Sequence, residues 1–175
     1  MRTAYRPFAA ILAAAASLFI AAPIVSTCAS AREVVAFNGG VPPGTIVVRT
    51  SERRLYYVLG EGRALRYPVG VGRVGRQWAG SAIISGKHIR PAWAPPPDIK
   101  RARPDLPDVI PGGSPANPMG AAALTLSGGD YAIHGTNRPS SIGGFVSYGC
   151  IRMYNQDIMD LFARVSVGTP VIVTR

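Results

Sequence analysis

The stretch GTIVVRTSERRLYYVLGEGRALRYPVG, Gly44–Gly70, sets the fold class. It contains short runs rich in Val, Ile, Tyr and Leu at Thr45–Arg49, Arg54–Leu59 and from Ala64 on to Val71. Ser51-Glu52 separates the first two, and Gly60-Glu61-Gly62 separates the second from the third. β-branched and aromatic runs of this length, broken by Gly and polar pairs, predict antiparallel strands joined by tight turns. Working outward, Ser81–Ile89 reads as a further strand, as do Ala122–Leu126 and Tyr131–His134. Asn155 reads as a helix N-cap, with Asp157 and Asp160 in the first turns, where the helix dipole favours anions. Ile158, Leu161, Phe162 and Val165 share one helical face, Gly168 ends the helix, and Pro170–Thr174 closes the chain as a strand. The class is therefore mainly β, with one clear short α-helix.

Pro91–Pro118 breaks this pattern. It is proline-rich, lacks apolar periodicity and places Trp93 beside Pro95-Pro96-Pro97. Proline fixes φ and removes backbone donors, which excludes a central strand or helix interior. The expectation is a semi-rigid loop over the sheet near a site, against the alternative of a solvated linker.

The first 31 residues read as a cleaved signal peptide. Arg2 and Arg6 precede an apolar, alanine-rich run from Phe8 to Val25, and Ala29-Ser30-Ala31 offers small residues for cleavage before Arg32. Val25-Ser26-Thr27-Cys28 is the competing lipid-attachment reading. Export to the periplasm or cell envelope follows from either. Residues 32–43 then form a short N-terminal extension and 44–175 a single domain. Of the two cysteines only Cys150 survives cleavage, and an unpaired cysteine in an oxidising compartment is either buried and inert or kept for chemistry. The formal charge of +10 comes mostly from arginine, and removing Arg2 and Arg6 leaves +8. The basic residues are scattered and form no nucleic-acid motif, so wall polymers and lipid head groups are the polyanions to expect, not DNA or RNA.

Two histidines are present, His88 and His134. His134 ends a predicted strand, and a loop with Pro139, Gly143 and Gly144 leads to Ser147-Tyr148-Gly149-Cys150-Ile151-Arg152. Such a loop lets an imidazole fold back against the thiol, remove its proton to leave an ion pair, and later protonate a leaving amine. No acid lies near His134, so a backbone carbonyl such as that of Gly135 would have to orient the ring. Gly149 permits a sharp turn, with the Gly149 and Cys150 amides as oxyanion donors. Spacing alone leaves catalysis and an inert thiol equally open. His88 reads as a strand-surface residue, and two distant histidines with one cysteine give no metal-ligand spacing. Gly70-Val71-Gly72-Arg73-Val74-Gly75 fits G-x-G-x-x-G, but no helix follows to receive a pyrophosphate, so no cofactor is expected. Trp78 and Trp93 read as packing residues.

HGTNRPSSIGGFVSYGCIRMYNQDIMDLFARVSVGTPVIV, His134–Val173, closely resembles the end of the L,D-transpeptidase catalytic domain of YkuD type. The family pattern is a His-Gly pair, a loop, S-x-G-C-[IL]-R, and an Asn-led helix ending in G-T-x-V. Upstream, GTIVVRTSERRLYYVL, YPVGVGRVG and NPMGAAAL resemble its earlier elements, so the likeness covers Gly44–Val173. The resemblance implies a β-sandwich of L,D-transpeptidase type, with Cys150 as nucleophile, His134 as base and Gly135 as the orienting carbonyl. Gly149 would belong to the oxyanion turn, and Ser147, Arg152 and Thr136 would line the pocket or touch a substrate carboxylate. Arg152 has a competing structural reading, pairing with Asp157 or Asp160. Tyr148 departs from the histidine frequent at its position, which puts a proton relay there in doubt. The implied reaction is acyl transfer on peptidoglycan stem peptides. Cys150 would expel D-alanine from a tetrapeptide, and the acyl group would pass to a stem amine, a lipoprotein lysine or a D-amino acid, or to water in a carboxypeptidase. Carbapenems would acylate Cys150. Papain-like peptidases place Cys before His, and sortases need a later catalytic arginine, so both fit less well. A catalytically silent wall-binding domain is the rival of a different class.

Overall fold

The computed structural model describes Met1 and residues 32–175; the expected signal peptide and lipid-attachment readings, including Cys28, fall on residues outside those described. In chain order the strands are β1 (Glu33–Ala36), β2 (Ile46–Arg49), β3 (Arg54–Gly60), β4 (Arg63–Pro68), β5 (Val71–Gly72), β6 (Gly80–Ile89), β7 (Ala122–Leu126), β8 (Ala132–His134), β9 (Phe145–Ser147), β10 (Ile151–Arg152) and β11 (Pro170–Thr174). The helices are α1 (Pro97–Ala102) and α2 (Asn155–Arg164). No helix among the described residues is long and apolar enough to cross a membrane.

The main sheet runs β1-β4-β3-β2-β11-β6-β7-β8-β10. Strand β6 turns the corner: Gly80–Ile83 pairs with β11, while Ile84–Ile89 pairs with β7 across a bulge between Ile84 and Gly86. A strand that changes partners at a bulge lets one sheet wrap over itself into two layers. The core lies between them, built from Ile46, Val48, Leu55, Tyr67, Ile84, Leu124, Ile133, Ile151 and Val171. Ile158 and Leu161 of α2, and Val165 just after it, add to it. Period-two alternation sends Val47, Tyr56 and Val58 to a second, smaller core with Phe37 and Ala64. Both faces of β2 and β3 are thus covered, which is why Ile46-Val47-Val48 reads as an unbroken apolar run.

Several expectations are corrected. The run from Ala64 to Val71 is two strands, because the chain leaves β4 at Pro68 and Val71 turns to pair in parallel with β9. Within residues 32–43, β1 adds to the sheet edge beside β4. Helix α2 ends at Arg164 rather than at Gly168: Val165 is extended, a Ser166–Thr169 turn follows, and Gly168 N–H reaches Ile84 O at 2.8 Å to start β11. Asn155 is not the N-cap. Tyr154 holds that position without a side-chain bond, and Asn155 faces the site.

The Pro91–Pro118 segment is a structured loop, not a linker. Trp93 and Ile110 bridge each other, Pro97 opens α1, and buried Asn117 donates to the carbonyls of Pro91, Ile110 and Pro111. The prolines suit this role, since they lower the entropy of a loop whose carbonyls are gathered by one side-chain amide.

Candidate active site

The site grows from the short parallel pair β8–β10, registered Ile151↔Ile133 and Arg152↔His134. Side chains alternate across a strand, so Ile133 and Ile151 enter the core together while His134 and Arg152 share the other face. Cys150, one residue before β10, continues that face opposite Ala132. The register therefore brings Cys150, His134 and Arg152 into one patch although sixteen residues separate the first two. Cys150 is free and half-buried, and its Sγ lies 3.8 Å from Asp130 O.

His134 is buried, and its Nδ1 lies 2.7 Å from Gly135 O. A carbonyl only accepts, so this contact favours the tautomer with the proton on Nδ1 and the lone pair on Nε2. Gly135 has no room for a side chain: a Cβ there would sit 2.3 Å from Asn155 Oδ1. Burial, then the nearby Arg152 charge, lowers the His134 pKa to about 4, against the opposing pull of the Gly135 and Pro118 carbonyls. Burial also pushes the Cys150 thiol up, while Arg152 pulls it down. Burial thus disfavours a charge on either group taken singly.

The turn before the sulfur is tightly held. Gly149 has φ +129°, and a Cβ there would lie 2.4 Å from Tyr131 Cε1. Ser147 Oγ donates to Cys150 O at 2.6 Å and accepts from Gly149 N–H at 3.1 Å. The Gly149 amide is thus engaged and is not a free oxyanion donor, and Ser147 braces the turn from a buried position. Tyr148 lies against two guanidinium groups, Arg73 at 4.0 Å and Arg76 at 5.5 Å from its ring centroid. Arg152 is half-buried with Nε unpartnered. It does not pair with the helix acids: Asp160 binds Arg164 and Arg32, and neither buried oxygen of Asp157 has a hydrogen-bond partner. Thr136 is buried, with its Oγ1 accepting from Arg138 N–H, so it shapes the backbone rather than presenting a hydroxyl. A polar cleft of about 560 Å³ opens beyond Thr136, between Asn155 and the Ser114–Asn117 loop; neither Cys150 nor His134 lines it.

The family described as "L,D-transpeptidase catalytic domain" (YkuD) matches residues 43–173. The chain belongs to that family. It is 41% identical over 133 residues to "Probable L,D-transpeptidase ErfK/SrfK" of Escherichia coli (strain K12), covering 72% of this chain and 42% of that protein. The L,D-transpeptidase domain here thus spans less than half the length of that curated relative. Among solved structures, an Enterococcus faecium L,D-transpeptidase aligns with TM-score 0.61 and 18% identity over 77% of this chain and 50% of that one. The catalytic domain of an E. faecium L,D-transpeptidase "acylated by ertapenem" aligns with TM-score 0.57 and 21% identity, covering 74% and 95%. At these identities the solved structures establish the shared fold.

Two supports of this site were not singled out as such from sequence. Trp78 stacks on Tyr131 (centroids 4.9 Å apart, 7° between planes) and donates from Nε1 to Gly149 O at 3.0 Å, so the packing residue also holds the turn before Cys150. Asn155 Oδ1 accepts from Ala121 and Thr136 N–H, each at 3.0 Å, and its Nδ2 donates to Thr136 O at 3.1 Å, tying α2 to the strand that carries His134. The N-x-D spacing after C-I-R was the available signal, but it suggests a cap just as well. Asn155→Ala strands two backbone donors and should lower unfolding free energy by about 1–2 kcal/mol in urea titrations. An unchanged midpoint would refute that tie.

The buried imidazole also links stability to pH. With His134 at about 4 in the folded state and near the usual histidine value of ~6.5 when unfolded, the unfolded chain binds more protons between the two. Its contribution is fully present above about pH 6.5 and is lost as pH falls to about 4, by roughly 3 kcal/mol. Urea titrations at pH 7 and pH 4.5 should show a loss that is much smaller in His134→Gln. Equal losses in both proteins would contradict the linkage.

Proposed function

We propose that this protein is a peptidoglycan L,D-transpeptidase of the cell envelope, exported with residues 1–31 removed, in which Cys150 is the nucleophile and His134 its base. The observation that carries the reading is the β8–β10 register, which puts Cys150 and His134 on one face while the Gly135 carbonyl favours the His134 tautomer with Nε2 free. In this reading the thiol proton passes to His134 Nε2 as Sγ attacks the carbonyl of the diamino-acid residue of a tetrapeptide stem. Attack and proton transfer are concerted in this reading, because burial disfavours a charge on either group alone. The Cys150 amide N–H, on the sulfur's own residue, is the donor available to the oxyanion once Gly149 N–H is engaged by Ser147. Collapse breaks the peptide C–N bond, and His134 protonates the departing D-alanine amine. An incoming amine, of a neighbouring stem, a lipoprotein lysine or a D-amino acid, loses its proton to His134, attacks the thioester and restores the thiol. Water as acceptor gives a carboxypeptidase.

Arg152 supports thiolate development through its charge on the same face. No residue in this scheme calls for a metal or cofactor. The test is release of D-alanine from a disaccharide-tetrapeptide, followed by mass spectrometry of the products with and without an acceptor stem. Thioester formation and D-alanine release by the wild type but not by Cys150→Ser support the reading. Binding of the stem without release, unaffected by Cys150→Ala, would replace it with a silent wall-binding domain.

A further inference from the structure

The Arg73–Tyr148 contact has no part in the chemistry above. The Arg73–Arg76 turn is fixed onto the nucleophile segment: Arg73 N–H donates to Ser147 O at 3.0 Å, and Arg76 N–H to Arg73 O at 2.8 Å. Its guanidinium groups lie over the Tyr148 ring, two residues before Cys150. The two arginines differ in one respect. Arg76 is neutralised by Asp98 of α1 at 2.9 Å, whereas Arg73 enters no ion pair among the described residues. A guanidinium stacked on an aromatic face keeps its in-plane N–H fork free, and that fork matches a carboxylate bidentately. Stacking also restricts the arginine side chain before any ligand arrives, which lowers the ordering cost of binding.

We propose that Arg73, held on the Tyr148 ring, binds a carboxylate of the donor stem peptide at the entrance to Cys150, and that Tyr148 serves as its platform rather than as a proton relay. The inference rests on the transpeptidase reading. A tetrapeptide stem offers a terminal carboxylate on the departing D-alanine and, where the diamino acid has one, a second on its side chain. Arg152, whose buried Nε has no hydrogen-bond partner, is a second cation on the Cys150 face for the other carboxylate.

The test is kcat/KM for D-residue release by the full chain on three stems: the free acid, the form amidated at the terminal carboxylate, and the form amidated at the diamino-acid carboxylate. Arg73→Gln should lower kcat/KM for the free acid about tenfold or more, mainly through KM, as loss of a charged bidentate contact demands. On one of the amidated stems the wild type and Arg73→Gln should agree within about twofold, and that stem identifies which carboxylate Arg73 holds. Tyr148→Leu should reproduce the Arg73→Gln defect, while Tyr148→Phe, which keeps the ring and loses the hydroxyl, should match wild type. Arg63→Gln, at the distant β3–β4 turn, is the charge control. A defect of equal size on all three stems, no defect on any, or a Tyr148→Phe enzyme as impaired as Tyr148→Leu would overturn the proposal. A wild type that releases nothing from any stem, though folded, would instead sink the transpeptidase reading and this inference with it.

Discussion

Replacing His134 with Gln is expected to slow acylation of Cys150 by about 10²–10⁴-fold, the range a positioned general base supplies. Gln fills a similar volume and still donates toward Gly135 O, but it cannot take the thiol proton. The pH profile separates this loss from misfolding. A base lowered to about 4 is deprotonated throughout the neutral range, so wild-type acylation should lose rate only as pH falls toward about 4. His134→Gln should lack that acid limb and regain rate at high pH, where the thiol ionises unaided. Stopped-flow or quenched mass spectrometry with a carbapenem reads both. A His134→Gln rate within threefold of wild type at pH 7 would remove His134 from the mechanism.

The second large effect is expected at Gly149. Gly149→Ala imposes a side chain at φ +129° and drives its Cβ to within 2.4 Å of the Tyr131 ring. The ring cannot yield freely, because Trp78 stacks on it and bonds Gly149 O. The strain must therefore move the turn that carries the sulfur, and displacements near 1 Å cost on the order of 10² in rate. Acylation should fall by at least that factor, with a changed near-ultraviolet signal from Trp78. Gly168→Ala is the matched control: its φ is +92°, but nothing lies within 4 Å of the added Cβ. It should lose stability, of order 1–3 kcal/mol, without losing acylation. If Gly149→Ala acylates like Gly168→Ala, the Trp78–Tyr131 buttress does not position Cys150.

The sequence exposed those parts of the fold that local periodicity controls. Thr45–Leu59 alternates between two cores and Ile158–Val165 follows one helical face, so strands and helix were visible before any coordinates. The short pairs were not. β5, β9 and β10 are two or three residues long and exist only because long-range partners supply their hydrogen bonds. The loop from Pro91 to Pro118 hid its order for a related reason: Asn117 gathers its carbonyls through one buried amide, which no local pattern announces. At the site, His134, Cys150 and Gly135 stood out by residue type and motif. Trp78 and Asn155 did not, since each acts through backbone atoms far along the chain. The pull of burial on His134 and Cys150 was equally hidden, because it follows from the folded surroundings rather than from spacing.

The central claim is that Cys150 is an activated nucleophile. Its most direct test is intact-protein mass after exposure to a carbapenem, with wild type and Cys150→Ala side by side. The account predicts one drug-sized adduct on the wild type, mapped to the peptide containing Cys150, and none on Cys150→Ala. No adduct on folded wild type, or the same adduct on Cys150→Ala, would contradict it.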